Sequence, residues 1–169
     1  MVEFATLDPK LLAHLLEDAA KLWLAHDGLW FQAVEETFGM EVALRLDEEA
    51  MGRFTVIEAR RIKQRWGLGD QAGLDGLAFA LERRLYAHIN RQELRRVDQR
   101  TLILRMLECR VQSARQRKGM APFPCRSVGL IEYREFARTI DEGITTTCLA
   151  CPPGGGDETC WCAWQFTVE

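Results

Sequence analysis

Along the first hundred residues, apolar positions recur with a helical period. Asp8-Pro9 offers a helix N-cap followed by a proline suited to the first turn. Leu12, Leu15, Leu16, Ala19 and Trp23 then fall at helical spacing. The pattern predicts a helix to about Ala25 and a break or kink at His26-Asp27-Gly28, with Asp27 capping the next turn. Residues 29–38 continue as helix until Gly39 stops it. The longest pattern covers 40–66. Leu46, Ala50, Phe54, Ile57 and Arg61 make one stripe, and Met51, Thr55, Glu58 and Ile62 make its neighbour. Gly67-Leu68-Gly69 ends it. A further helix is predicted over 74–89, and residues 91–97 extend it or form another short helix.

Near Asp98 the pattern changes. Residues 101–111 read as a strand, 112–118 as a polar helical stretch, 121–125 as irregular and 128–140 as a helix. Residues 144–151 and 160–168 look like two strands joined by the Pro- and Gly-rich turn region 152–156. The expected class is α+β. A helical N-terminal part (1–97) packs on a small C-terminal antiparallel sheet within a Cys-rich subregion (98–169), all in one domain of 1–169.

Composition narrows the class. An apolar fraction of 47% and a charged fraction of 28% suit a globular fold, and a net charge of −3 argues against general nucleic-acid affinity. The best membrane candidate, 11–31, is interrupted by Glu17, Asp18, Lys21 and Asp27, so no membrane span is expected. The N-terminal residues lack a basic-then-apolar leader, and a cytoplasmic location is the simplest expectation. There thiols stay reduced, and paired cysteines point to metal or redox chemistry rather than disulfides.

All six cysteines lie after residue 108. Cys148-Leu-Ala-Cys151-Pro is the most specific spacing, because two thiolates two residues apart can chelate one ion in a tight turn. If the last two strands fold together, Cys162 approaches that pair, while Cys109 and Cys125 arrive from the preceding segment. The candidate metal ligands are therefore Cys109, Cys125, Cys148, Cys151 and Cys162. Cys160, beside the Gly-rich turn, is left out. Such ligands favour zinc, with an iron–sulfur cluster as the alternative.

Residues 110–126 carry cations and no acid. Arg110, Arg115 and Arg126 are candidate partners for a small anionic ligand, against the plainer reading of a solvated basic face. On the helices, Glu58 and Asp27 are candidate acid/base groups and His26 a candidate base or metal ligand. The plainer readings are a Glu58–Arg ion pair, an Asp27 cap and a surface His26.

Several of these segments together resemble a prokaryotic cytosolic family of unknown function over nearly the whole chain. They include Trp23-Leu-Ala-His26-Asp27-Gly-Leu-Trp30, Ile57-Glu58-Ala-Arg60-Arg61, Phe123-Pro-Cys125, Glu132-Tyr133 and Cys148-x-x-Cys151-Pro. That family is distantly similar to L-2-amino-thiazoline-4-carboxylate hydrolases and, in its Cys-rich end, to 4-vinyl-reductase-type domains. The resemblance implies Cys109, Cys125, Cys148, Cys151 and Cys162 as the family's cysteines. It supplies no established activity. Three functions are expected to compete. One is a metal-dependent hydrolase of a C–N or C–S bond in a small carboxylate-bearing molecule. The others are a ligand-binding or sensor domain braced by zinc, and an iron–sulfur redox protein. The reading allows a homo-oligomer and expects no nucleic acid.

Overall fold

The computed structural model describes residues 4–154 and 159–169. Its order is α1 (Pro9–Phe38), α2 (Met40–Trp66), α3 (Gly73–Leu81), a 3-10 turn (Leu85–His88), β1 (Arg91–Asp98), β2 (Thr101–Glu108), α4 (Arg110–Arg117), α5 (Arg126–Ile140), β3 (Thr145–Ala150) and β4 (Cys162–Thr167). The four strands form one antiparallel sheet in the order β1-β2-β4-β3. The class is α+β. No helix among the described residues is long and apolar enough to cross a membrane.

The Asp8 side chain accepts a hydrogen bond from the Lys10 amide at 2.8 Å, and Pro9 occupies the first turn. The expected break at His26-Asp27-Gly28 is absent, and α1 runs through it as one helix of 30 residues. A single internal glycine costs a helix only about 1 kcal/mol, and the good helix formers Leu24, Ala25 and Leu29 lie on either side of the segment. Gly39, at φ +86°, both ends α1 and precedes α2. Gly67 closes α2 in the left-handed region at φ +65°.

The helix expected over 74–89 ends early, at Leu81. The cause is Arg84, whose backbone is extended and whose guanidinium is 2% exposed. Its Nε donates to Glu58 Oε2 of α2 at 2.8 Å, and its Nη2 lies 2.6 Å from Glu132 Oε1 of α5. The second contact is an ion pair by distance without hydrogen-bond alignment. A continuing helix would carry this cation away from both acids.

Residues 91–97, expected as helix, form β1 instead. Its sequence, with three arginines, Gln and Glu, has no strand preference of its own. It is an exposed edge strand held by pairing to β2. Asp98 shapes the hairpin by accepting from the Arg100 amide at 2.7 Å. The division at 97/98 therefore falls inside β1. Strand β2 stops at Glu108, and the residues expected to prolong it begin α4, with Cys109 as N-cap. Part of the expected 152–156 turn, Gly155 and Gly156, lies outside the described residues.

The sheet buries Leu102, Leu104, Met106, Cys162, Trp164 and Phe166 on one face. Helix α5 packs directly on β3 and α2, whereas α1 packs on α2. The helical N-terminal part thus reaches the sheet largely through α5. Gly129 permits this seat, because a Cβ there would lie 2.7 Å from the Trp164 ring. Tyr133 stacks at 4.9 Å on the same ring.

Two stability outcomes follow. Gly129→Ala forces a methyl into the indole and lowers unfolding free energy by about 1–3 kcal/mol, measured by urea denaturation. Arg84→Met leaves two buried carboxylates without their cation and costs about 3–5 kcal/mol. If Arg84→Met unfolds at the wild-type urea midpoint, the ion triad does not organise the core.

Candidate functional site

A pocket of about 430 Å³ opens between α1, α2, α4, α5 and the inner face of the sheet. Its floor is apolar, with Met51, Met106, Phe123, Val128, Tyr133 and Trp164. Two chemically distinct walls rise from that floor.

The first wall is acidic. Asp27 of α1, Asp47 of α2 and Glu132 of α5 line it. Burial raises the Asp27 carboxyl above its usual range, with His26 opposing the shift. Asp47 is pushed up to about 7, mainly by burial and then by the negative fields of Asp27, Glu132 and Glu48. Burial also raises Glu132 against the pull of Arg84. Tyr86 lies at the same wall, and burial holds its phenol protonated.

The second wall is thiol. Cys109, Cys125 and Cys162 line the pocket, with Cys151 buried against Cys125. The Cys125 and Cys151 sulfurs are 3.2 Å apart, and all six cysteines are free thiols. Cys151 also shares side-chain hydrogen bonding with Cys162 and Cys148. Within this cluster the Cys151 thiol is raised, first by its contact with Cys125, and Cys125 is lowered by the same contact. Burial pushes Cys109 up to about 12. Burial raises Cys148 too, while the nearby Arg126 charge opposes it. All five predicted cysteines therefore influence one another across the N-caps of α4 and α5, the end of β3 and the start of β4. Among the described residues, however, no three His, Cys, Asp or Glu side chains form a preassembled group that could hold a metal ion.

The segment carrying Cys125 is fastened by Gln112. Its amide nitrogen donates to Phe123 O at 2.8 Å, its amide oxygen accepts from Phe123 N at 3.0 Å, and its nitrogen reaches Cys125 Sγ at 3.6 Å. The Cys125 carbonyl then accepts the Gly129 amide at 2.8 Å as α5 begins.

The structure separates the other sequence candidates. His26 is exposed and does not line the pocket. Glu58 lies outside the pocket lining and is bound to Arg84, the ion-pair reading with a different arginine from those adjacent in sequence. Arg115 lines the pocket but spends its guanidinium on a bidentate pair with Glu35, at 2.7 and 2.9 Å. That pair lowers Glu35. Arg110 is exposed at the pocket, its amide held by Asn90 Oδ1 at 2.8 Å. Arg126 is exposed and beside Cys148 rather than in the pocket. Asp47, Glu132, Tyr86 and Gln112 were not singled out by spacing. Asp47 sits among Arg45, Glu48 and Glu49 and looks in sequence like any solvated helix face.

None of the curated proteins matches this chain. The model of a family of unknown function (DUF6125) matches residues 6–168, and the chain belongs to that family.

Proposed function

We propose that this protein binds a thiophilic metal ion at the Cys125–Cys151–Cys162 end of the pocket and hydrolyses a C–N or C–S bond of a small molecule there. The observation that carries the reading is that thiols and buried carboxyls line one pocket of about 430 Å³ together. Two sulfurs on a tetrahedral zinc stand about 3.8 Å apart. The 3.2 Å separation of Cys125 and Cys151 is close to that spacing, and Cys162 and Cys148 are the neighbours of the same Cys151 thiol. Completing the set calls for side-chain rotations around Cys151, with Cys109 as a further donor. An iron–sulfur cluster is the competing occupant of the same thiols.

A bound zinc would supply Lewis acidity and an acidified water. The chain's own groups supply the rest. Asp47, with its carboxyl near neutrality, takes and returns a proton as a general acid/base should. Asp27 stands beside it as the second carboxyl. Glu58 acts through Arg84, which fixes Glu132 in the wall, and is a positioning residue. Arg110 at the pocket, with Arg117 and Lys118, offers cations for a substrate carboxylate. The acidic wall adds a preference for a basic nitrogen on the same substrate, so a small zwitterion suits both ends. This chemistry agrees with the distant resemblance to L-2-amino-thiazoline-4-carboxylate hydrolases.

Protein purified without oxygen is expected to carry about one zinc per chain, colourless and removable by chelator. Cys125→Ser and Cys151→Ser should each weaken zinc binding at least about tenfold. Wild-type protein that takes up no zinc, with thiol reactivity unchanged by the added metal, sinks the metal reading. A brown sample with iron and sulfide selects the cluster.

The acidic wall has its own test. Unfolded Asp47 ionises near 3.8 and folded Asp47 near 7, so between these values the folded state binds the extra proton. Stability from this group is therefore present below about pH 4 and is lost as pH rises towards 7. Asp47→Asn should raise stability by about 1–2 kcal/mol at pH 7.5, allowing for partial solvent screening, and by nothing at pH 4. Melting curves at the two pH values check it, and an equal shift at both would refute the assignment.

A further inference from the structure

Helix α1 has 30 residues, yet Ala20 alone is fully buried. A water-exposed helix of this length gains its stability mainly by packing an apolar face. Its inner face does so, with Trp23 stacked at 5.3 Å on Phe54. Its outer face is also apolar. Leu11 and Leu15 are 45% and 43% exposed, and Leu22, Leu29 and Trp30 are 69%, 65% and 70% exposed. Between the leucines lie the exposed Ala19, His26 and Ala33. The series Leu15, Ala19, Leu22, His26, Leu29, Ala33 steps by four and three residues throughout. That is a continuous heptad seam in which leucines alternate with smaller side chains.

We infer that this seam is a homodimer interface, in which α1 pairs antiparallel with α1 of a second copy. Three observations carry the inference. First, the seam is complementary to its own reverse. With the two-fold axis beside Leu24, Ala19 of one copy meets Leu29 of the other, Leu22 meets His26, and Ala33 meets Leu15. Each leucine finds a smaller or flat side chain, the large-with-small alternation that lets two helices interdigitate. A parallel pair would instead set leucine on leucine and alanine on alanine. Second, the chain exposes 10540 Å², whereas a folded monomer of its mass exposes about 8500 Å². That surplus, spread over the whole chain, is large enough to include the roughly 1000 Å² or more that each partner covers in a permanent dimer. Third, isologous pairing of the seam closes on itself, so each copy covers the same face of the other.

The interface borders the pocket. Leu29 belongs to the seam and also lines the pocket beside Gly28 and Gln32. A second α1 seated on the seam narrows the mouth from that side and shields Asp27 from bulk water. The pairing does not depend on whether a metal occupies the thiols.

The test is the solution mass of the full chain by sedimentation, from about 1 to about 100 μM. Twice the 19.4 kDa chain mass is expected. Leu22→Glu with Leu29→Glu should give the single-chain mass with the helical circular dichroism retained. The register has a sharper test. L22E alone should be monomeric, and mixing it with H26K should restore the dimer, because position 22 of one copy faces position 26 of the other. If the double variant loses its helical signal, L22E and its mixture with H26K decide alone. A wild-type chain that stays at single-chain mass across the range overturns the proposal and assigns the seam to a different protein or a lipid surface. A dimer untouched by L22E overturns it too.

Discussion

The buried guanidinium of Arg84 is the contact on which the arrangement of the helices depends. It joins Glu58 on α2 to Glu132 on α5, and it comes from the turn that leads into β1. Phe136 covers it at 4.7 Å, with Tyr86 and Tyr133 at 5.2 and 5.6 Å. An ion held in such surroundings is costly unless its partners are fixed, so the three segments move together or not at all. Its use there has an electrostatic effect on the pocket. Asp47 feels Asp27, Glu132 and Glu48 as negative neighbours, while Asp27 is raised by burial against the opposing charge of His26. The raised carboxyls of the pocket thus originate first in burial, with the charge of Arg84 opposing the shift at Glu132.

The opposite wall obeys a different constraint. Thiols are small and tolerate burial, so a group of them can stand against Trp164 without unfolding the sheet. The Trp164 indole nitrogen donates to Cys162 Sγ at 3.4 Å, which aims that sulfur along the inner face. Gln112 does the corresponding work for Cys125. The two walls are thereby built by different means, one by burying carboxyls near one another and the other by side-chain hydrogen bonds that steer soft sulfur.

Much of the fold was legible because its signals are local. Asp8-Pro9, Gly39 and Gly67 delimit two long helices by capping chemistry alone. The β-formers after Thr101 mark β2, and the folding together of the last two strands brings Cys162 near Cys148 and Cys151. The break expected at His26-Asp27-Gly28 fails because one glycine is a small local cost, whereas the differences after residue 81 share another cause. Residues 91–97 carry a helical composition but lie beside an open strand edge, and pairing there outweighs propensity. The helix from 74 stops where it does because Arg84 must meet two acids distant in sequence, which no window of neighbouring residues contains. The same blindness hid Asp47 and left open which arginine pairs with Glu58. Arg115 was singled out for its charge, yet its fork is occupied by Glu35, eighty residues away.

Gly39 carries a mechanical corollary. It alone joins two helices of 30 and 27 residues, so α1 and α2 meet like the arms of tweezers. At about 1.5 Å per residue, Asp27 sits about 18 Å from that joint. A swing of about 5° there would carry it about 1.5 Å towards or away from its counterpart on the other arm, by plain leverage over that arm length. The gap between the jaws is thus geared to a backbone angle remote from any reacting group.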